Sequence, residues 1–452
     1  MNGYKAGAAS VCITPDEPLW LAGYAVRTAP ARGKISDLYT SALALEDETG
    51  QRFVIASADV IAITRAIADR VADAVCSRHG LARSQLLLTA THTHYGPEFR
   101  ADKQVFFNIP DEYAAAFKGI AKKLVAALSQ VIDQAITDLE PATLFARKTS
   151  ASFAHNRRRH GVVDGRPAAE DIIDHDVPVL DCVDALGNHK AIVYGYACHN
   201  TTIPPDDLRY CADWAGFANQ ELQQAFPGVT GLFIPGAGAD QDPEPRGSIE
   251  LSREHGRQIA QAVQETLNAP GIEITGTIRT ELEDVKLELE PVTQVRLEKM
   301  LESDDPPQRV KARFLLDALD RGEKLITSYP APVQVVRLGN ELIIVALGGE
   351  PVVDWAHKFK QGATQRVPGR EQGAGILAPR SSLPALSSPL IWVAGYCNDM
   401  FGYLPTRRVQ SEGGYEGGRS NLWSSIPAPF TDDVEDRITD AVRRLIDCIN
   451  RQ

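Results

Sequence analysis

The order of apolar and polar positions predicts short buried strands that alternate with amphipathic helices. Several apolar runs show almost no polar alternation, which is typical of strands covered on both faces. Other segments carry apolar residues at helical spacing and end at glycine. The predicted fold class is α/β, with mixed β-sheets flanked by helices. The predicted strands are 11–15, 39–45, 52–58, 86–94, 143–152, 177–183, 190–199, 231–235, 276–290, 332–338, 341–346 and 390–396, and the predicted helices are 64–79, 112–136, 213–225, 250–267, 294–323 and 432–449.

The sequence contains no internal repeat and no clean linker, so we expect one integrated domain over residues 1–452. Residues 292–325 are rich in charge and have helical spacing, interrupted near Pro306 and Pro307. We interpret this segment as a charged helical insertion that projects at the surface of the domain.

Composition narrows the class of partner. A net charge of −12 argues against nucleic acid or an anionic membrane surface as the main partner. No apolar stretch is long enough to cross a bilayer, so we expect no stable membrane insertion. The seven cysteines are scattered without a CxxC pair, which indicates reduced thiols and a cytoplasmic protein. A small-molecule substrate is the expected partner, and the sequence does not indicate an oligomeric state.

Four of the apolar runs end in side chains that can bind a metal. The first ends in Thr91-His92-Thr93-His94, where strand alternation would place both histidines on one face. The others end at His199, at Glu350 and in the stretch Asn398 to Tyr403. Side chains at strand ends converge in open α/β folds, although a bare His-x-His is also compatible with two structural histidines.

Two histidines and a carboxylate with one open position form a common hydrolytic zinc set. Zinc bound in this way lowers the pKa of its water to about 7. An amidohydrolase-type barrel also uses His-x-His on a strand, but it requires two further strand-end histidines. After His199 only His255 and His357 remain, and both lie in predicted helices where we expect them to be exposed. The barrel is therefore disfavoured.

The stretch Thr91-His92-Thr93-His94-Tyr95-Gly96-Pro97 resembles the Thr-His-Thr-His-Ser-Gly-Pro signature of the neutral/alkaline, non-lysosomal ceramidases. The resemblance extends over about residues 4–425, because further family motifs follow in the same order. They are Lys5-Ala6-Gly7, Ile13-Thr14-Pro15, Gly23-Tyr24, Ser57-Ala58-Asp59, Asn156-Arg157, Ala197-Cys198-His199, Ala212-Asp213-Trp214, Gly349-Glu350 and Tyr415-Glu416-Gly417.

The resemblance implies a zinc ion held by His92, His199, Glu350 and Tyr403. Tyr403 is preferred over Tyr396 because the family's ligand tyrosine stands twelve positions before the tyrosine of the Tyr-Glu motif, here Tyr415 (415 − 403 = 12).

The remaining family roles concern the pocket. The resemblance implies that His94 is a catalytic residue that does not bind the metal, and that Arg157 and Tyr415 line the pocket. Arg158 and Arg159 are alternatives to Arg157, and Tyr403 is alternatively a core tyrosine.

One position departs from the family. Ceramidases carry an active-site serine before a proline, and here that position is Asp242, in the loop Gly236 to Pro243 that contains no serine. Asp240 and Asp242 either face the pocket or cap backbone N–H groups of the loop. Ceramidases of this type also carry a C-terminal β-sandwich and are secreted or membrane-associated, neither of which we expect here.

These patterns together predict a ceramidase-like, zinc-dependent hydrolase of a small soluble amide (N-acyl) or ester. His94 would act as general base or acid, and Arg157 and Tyr415 would orient substrate. One alternative is a zinc hydrolase of a lactone or glycosidic bond that uses Asp240 or Asp242 as acid/base. Another is a non-catalytic descendant that binds a ligand in the same pocket.

Overall fold

Two mixed β-sheets pack face to face in the computed structural model, which describes residues 3–160, 162–163, 166–167, 172–364 and 389–451. The larger sheet has nine strands in the order β11-β10-β9-β5-β1-β2-β3-β4, with β13 also pairing with β5, and the smaller has the order β14-β15-β16-β18. The strands are β1 Tyr4–Cys12, β2 Tyr39–Glu46, β3 Arg52–Ala58, β4 Leu86–Ala90, β5 Glu140–Ser150, β6 Ala154–Asn156, β7 Val162–Val163, β8 Arg166–Pro167, β9 Asp176–Asp184, β10 His189–Tyr196, β11 Thr230–Pro235, β12 Gln241–Pro243, β13 Ile272–Ile274, β14 Ile278–Glu288, β15 Ser328–Leu338, β16 Leu342–Leu347, β17 Glu350–Pro351, β18 Leu390–Ala394 and β19 Tyr403–Leu404.

Helices cover the outer faces of both sheets. They are α1 Arg65–His79, α2 Lys103–Phe106, α3 Asp111–Ala114, α4 Phe117–Thr137, α5 Asp213–Ala225, α6 Ile249–Leu267, α7 Gln294–Leu301, α8 Pro306–Asp320, α9 Asp354–Thr364, α10 Arg407–Glu412 and α11 Val434–Arg451. Helices α1, α4, α5 and α6 pack on the larger sheet, and α9 and α11 pack on the smaller one. The order of layers is therefore helix, sheet, sheet, helix, which confirms the predicted α/β class.

The core between the sheets explains why the inner strands lack polar alternation. Ile55 and Leu87 from the larger sheet meet Ile344 and Trp392 from the smaller one, and all four are buried. Gly195 in β10 lets the two sheets approach, because a Cβ at this position would lie 2.7 Å from the indole nitrogen of Trp392. Both faces of these strands are covered, and only positions at their first ends are partly exposed.

Several predicted elements have different bounds in the structure; the strand predicted at 11–15, for example, spans Tyr4–Cys12. The strand predicted to reach His94 ends at Ala90, since His92 adopts the left-handed conformation with a φ of 59°. The argument that strand alternation places both histidines on one face is therefore wrong. The predicted helix 112–136 is divided into α3 and α4, which are separated by Ala115 and Ala116.

The charged segment 292–325 forms two helices, α7 and α8, as its spacing predicts. It is not a simple surface excursion, because one face of α8 is buried. Lys311 is only 1% exposed, and its ammonium group donates to the backbone carbonyl oxygens of Asn421, Ser424 and Ile426. Helix α8 thus holds the 3₁₀-helix Arg419–Trp423 and the residues that follow it.

Two further findings concern the expectations about membrane insertion and about the cysteines. In the described ranges, no helix is long and apolar enough to cross a membrane. All seven cysteines are free, and Cys182, Cys198, Cys211 and Cys397 are buried.

Lys311 provides a test of how the insertion is held. Burial, reinforced by the nearby Lys103 ammonium, lowers the pKa of Lys311 to about 7. The unfolded chain would bind this proton up to about pH 10.4, so folding releases it between those values and stability rises with pH. We expect wild-type protein to gain on the order of 3 kcal/mol over Lys311→Met between pH 7 and pH 10.

The measurement is urea unfolding of both proteins at several pH values. The matched control is Lys324→Met, since Lys324 is exposed, and its stability difference from wild type should stay flat. A flat difference for Lys311→Met would mean that the three carbonyl oxygens keep the ammonium group charged in the folded protein.

Candidate metal centre

The candidate ligands lie just beyond the ends of strands that belong to both sheets. His92 and His94 follow β4, and His199 follows β10. Glu350 lies in β17, just after β16, where its backbone pairs in parallel with Tyr403 of β19. Strands from four separate parts of the chain therefore deliver their side chains to one buried point.

Backbone carbonyl groups determine the proton positions of two histidines. Nδ1 of His92 lies 2.7 Å from the carbonyl oxygen of Ile61, and Nδ1 of His199 lies 2.9 Å from that of Gly238. A carbonyl oxygen only accepts, so each Nδ1 carries the hydrogen. The Nε2 atom of each neutral ring then presents a lone pair, which is the arrangement of metal-binding histidines.

Both Nε2 atoms face the same carboxylate oxygen. Oε2 of Glu350 lies 3.4 Å from Nε2 of His92 and 3.6 Å from Nε2 of His199. Burial raises the pKa of the Glu350 carboxyl group, but positive charge at the two histidines outweighs this and holds the pKa well below its ordinary value, as a bound cation would. Three acceptor atoms thus converge in a buried site, and a cation is needed to stabilise them.

A tetrahedral zinc ion fits this spacing. With bonds of about 2.0–2.2 Å, ligand atoms in a tetrahedral site stand roughly 3.3–3.5 Å apart. The two distances from Glu350, 3.4 and 3.6 Å, agree with that separation. The nitrogen and oxygen donors also suit zinc.

His94 lies beside these groups but is held differently. Its Nε2 lies 3.4 Å from Nε2 of His92, and the ring nitrogens of His92, His94 and His199 lie within 4.8 Å of one another. Its buried Nδ1 has no hydrogen-bond partner in the described part of the chain. No carbonyl group of the described residues sets its tautomer, which distinguishes His94 from the two neighbouring histidines, but the spacing of the three rings also lets His94 join them in holding a metal ion.

Both candidate tyrosines lie near the cluster. The ring of Tyr396 packs on His92 with centroids 4.4 Å apart. Tyr403 adjoins Glu350 through the β17–β19 pair, and its hydroxyl lies 2.9 Å from Nη2 of Arg157. Burial and the nearby Glu350 carboxylate raise the pKa of Tyr403 well above its ordinary value, and the guanidinium group of Arg157 offsets only part of this rise.

Arg157 connects Tyr403 to three other side chains. Its Nε donates to Glu416 at 2.7 Å, its Nη1 lies 3.3 Å from Asp242, and its guanidinium group lies over the ring of Tyr415. Tyr415 is 44% exposed, so its hydroxyl is accessible to a ligand. The structure therefore brings all of these predicted residues together around the histidines.

Arg158, one of the two alternatives to Arg157, has different partners. It is buried and pairs with Glu412 and Glu416, at 2.9 and 2.8 Å. Arg159, the other alternative, lies outside the residues whose side chains the structure describes. Arg157 is the arginine for which a contact with Tyr403 is described.

The two aspartates of the glycine-rich loop differ in their surroundings. Asp240 is fully buried, accepts from the backbone N–H of Val353 at 2.8 Å and contacts the amide of Asn156. These contacts are those of a carboxylate that organises a loop. Asp242 instead pairs with Arg246 at 2.7 Å and with Arg157, and these cations, with His199, lower its pKa despite its burial.

A cavity of about 610 Å³ opens at the cluster. His92, His94, Glu350, Tyr403 and Tyr415 line it. Polar and apolar residues of the segment 417–430 form much of the remaining wall, together with residues of α1 and of the stretch 99–107. The segment held by Lys311 is part of this wall, so the insertion contributes to the shape of the cavity.

Sequence reasoning did not identify three contributors to the site. Glu416 holds both Arg157 and Arg158, although its motif, Tyr415-Glu416-Gly417, was recognised. The carbonyl groups of Ile61 and Gly238 carry no sequence signal, because any residue supplies a carbonyl.

The prediction that His255 is exposed was wrong. His255 is 1% exposed and stacks on Phe153.

The fold and this histidine-carboxylate cluster define an α/β protein of hydrolase type with a site that could hold a metal ion. The family model for the neutral/alkaline non-lysosomal ceramidase N-terminal domain matches residues 4–234, and the chain belongs to that family. Glu350, Tyr403 and Tyr415 lie beyond the matched residues, so their placement rests on the geometry described above.

Solved ceramidase structures share the fold. A ceramidase complexed with C2 is 18% identical and superposes with a TM-score of 0.70, covering 98% of this chain and 76% of the other. Neutral ceramidase from Pseudomonas aeruginosa is also 18% identical, with a TM-score of 0.69 and coverage of 98% and 75%. At this identity the likeness concerns the fold alone.

The hydrogen bond from Nδ1 of His199 to the carbonyl oxygen of Gly238 can be tested by substitution. A Cβ at Gly238 would lie 2.6 Å from the backbone nitrogen of Cys198 and 2.7 Å from the carbonyl carbon of Ala197, so the loop must shift. We expect Gly238→Ala to weaken metal affinity by about 10–100-fold, the usual effect of losing such a bond. Competition with a chelator, followed by elemental analysis, measures the affinity.

Gly119→Ala is the matched control, since a Cβ there meets nothing within 4 Å and the residue lies in α4. It should leave metal affinity unchanged. Unaltered metal affinity in a folded Gly238→Ala protein would contradict the assigned role of this carbonyl.

Proposed function

We propose that this protein is a zinc-dependent hydrolase of a small soluble amide (N-acyl) or ester substrate. The observation that carries the proposal is the convergence of three atoms, Nε2 of His92, Nε2 of His199 and Oε2 of Glu350. The carboxylate oxygen lies 3.4 Å from the His92 nitrogen and 3.6 Å from the His199 nitrogen. Membership of the ceramidase family supports hydrolysis of an amide bond. The cavity of about 610 Å³ suits a small molecule.

His92, His199, Glu350 and Tyr403 would hold the zinc ion. When bound, zinc supplies Lewis acidity, polarising a carbonyl group and making water a stronger acid. The protein's own contribution is to keep the ring hydrogen on Nδ1 of both histidines, through the carbonyl groups of Ile61 and Gly238, so that each Nε2 faces the metal site. The buried Glu350 carboxylate offsets the charge of the cation.

His94 is the proposed general base. Its Nε2 points toward the ligand cluster, and burial with the neighbouring His92 and His199 holds its pKa well below the ordinary value, so the ring is neutral. A neutral imidazole accepts a proton from the attacking water and returns it to the departing nitrogen or oxygen. The bond to the leaving group then breaks as that atom gains the proton.

Tyr415 and Arg157 are proposed to orient the substrate. Tyr415 lines the cavity with an accessible hydroxyl group, which is suited to donate to the carbonyl oxygen. Arg157 holds Tyr403 and lies over the ring of Tyr415. Its bonds to Glu416 and Asp242 keep the guanidinium group fixed in that place.

The seven free cysteines support a reducing compartment, and we place the protein in the cytoplasm on that ground.

The position that is serine in ceramidases is Asp242, and its carboxylate forms ion pairs with Arg157 and Arg246. Such a carboxylate would not serve an amide in the way a serine hydroxyl does. We therefore propose a substrate smaller than ceramide.

Metal analysis combined with three histidine variants tests the proposal. Purified protein should contain about one zinc per chain, as expected for a single mononuclear site. His92→Ala and His199→Ala should lose the metal, because each removes one ligand. His94→Ala should keep it and lose about 10²–10⁴-fold in kcat, the usual contribution of a general base.

His79→Ala is the control, since His79 bonds to Asp133 at the end of α1, away from the cluster. It should keep metal and activity. Full metal content in both His92→Ala and His199→Ala would disprove the ligand assignment. Protein without metal and without activity on N-acyl compounds and esters would instead favour a non-catalytic ligand-binding role.

Asp242→Asn separates the amide or ester reaction from the lactone or glycosidic alternative. Arg157 retains Glu416 and Tyr403 in this variant, so we expect metal to be retained and kcat on the amide or ester to fall about tenfold or less. If Asp242 were an acid/base residue, activity on a lactone or glycoside would fall by 10² or more. Steady-state kinetics on a panel of these four bond types distinguishes the two results.

A further inference from the structure

The imidazole of His94 lies against Gly23. A Cβ at position 23 would overlap Cγ and Nδ1 of His94 and would lie 2.7 Å from its Cβ. Gly23 also has a φ of +95°, which an L side chain rarely adopts. Only glycine therefore satisfies both the backbone conformation and the space left by the ring.

Arg27 holds the loop that contains Gly23 through hydrogen bonds to backbone carbonyl groups. It is buried, and its Nη1 donates to the backbone carbonyl oxygen of His94 at 2.6 Å and to that of Ala22. Its Nε donates to the carbonyl oxygen of Pro205 at 3.2 Å. One guanidinium group thus joins the residue before Gly23, the main chain of His94 and the loop 204–209.

Aromatic rings complete the contacts of this guanidinium group. It lies 4.8 Å from the ring centroid of Tyr24 and 5.0 Å from that of Tyr95. The ring of Tyr24 in turn packs on His94, with centroids 4.7 Å apart. Burial lowers the pKa of Arg27 to about 10, so the group remains charged at neutral pH.

Arg27 has no carboxylate partner in the ranges that the structure describes. A buried charge without a counter-ion is costly, and here carbonyl oxygens and ring faces stabilise it. The contacts of Arg27 are concentrated on His94 and on the residues that flank Gly23.

His94 needs an external means of orientation. The neighbouring His92 and His199 are each oriented by an Nδ1 hydrogen bond to a carbonyl group. The Nδ1 of His94 has no such bond in the described residues, so packing must determine the angle of the ring. Gly23 and Tyr24 supply that packing. Arg27 holds the packed groups together, because it donates to the carbonyl oxygen of Ala22, next to Gly23, and to that of His94.

We propose that Arg27 and Gly23 are positioning residues for His94, which set the direction of its Nε2 toward the reacting water. The inference rests on the proposed general-base role of His94 for its kinetic consequence, but not for its structural one. Lysine cannot replace Arg27 here, because a single ammonium group does not reproduce the planar fork that reaches three carbonyl oxygens between two rings.

The first measurement observes His94 directly and does not depend on turnover. Zinc-loaded protein with ¹³Cε1-labelled histidine gives up to ten ring signals, one for each histidine, and His94→Gln identifies the signal of His94. We expect Arg27→Lys to shift, split or broaden the His94 signal while those of His92 and His199 stay in place. Arg32→Ala, an exposed arginine of the same loop, should change none of them.

The second measurement is kinetic. We expect Arg27→Lys to lower kcat by about 10–100-fold with KM and zinc content unchanged, since a misplaced base slows the reaction without altering ground-state binding. Gly23→Ala should give the same pattern. Because Gly23→Ala risks misfolding, Arg27→Lys is the deciding variant.

Each result has a distinct meaning. An unchanged His94 signal in folded Arg27→Lys protein overturns the proposal, as does a fall in kcat that accompanies loss of zinc. If no substrate is hydrolysed by the wild type, the proposed function fails, and the ring signals still decide whether Arg27 orients His94.

Discussion

The structure depends on one buried carboxylate that faces two lone pairs. Glu350 lies between Nε2 of His92 and Nε2 of His199, and backbone carbonyl groups hold both rings in the tautomer that leaves those atoms unprotonated. Three acceptors in a dry site repel one another unless a cation lies among them. The folded chain therefore builds a site that is complete only with a positive charge.

Much of the fold can be understood as support for this arrangement. The ligands follow β4, β10 and β16, which belong to two different sheets, so the site forms only when the sheets pack together. The glycine-rich loop supplies the Gly238 carbonyl for His199, and Asp240 fixes that loop to Val353, three residues after Glu350. The packing of the two sheets therefore also places the candidate ligands.

The groups around the ligands are linked in the same way. Arg157 joins Tyr403, Asp242 and Glu416, while Arg27 joins the His94 main chain to the loop of Gly23. On the far side of the cavity, Lys311 holds the wall segment through carbonyl oxygens. Each of these side chains donates to backbone or carboxylate oxygens, so the pocket is held by polar contacts as well as by apolar packing.

The sequence alone determined the α/β class, the strand ends that carry ligands and the family, since these follow from apolar periodicity and from local motifs such as Thr91 to Pro97. It did not reveal why His92 and His94 face the same cavity. Strand alternation was the wrong reason, because His92 leaves the strand with a φ of 59°. Nor did it show that α8 holds a segment of the cavity wall through Lys311, since a charged helix and a buried one share the same period.

Only the tertiary structure decided which histidine has which surroundings. The difference between His92 and His94 lies in a carbonyl oxygen 2.7 Å from one Nδ1 and in the backbone of Gly23 beside the other ring. Backbone carbonyl groups and close approaches carry no residue-specific signal. They arise when segments distant in sequence are brought together, which a one-dimensional pattern of residues does not record.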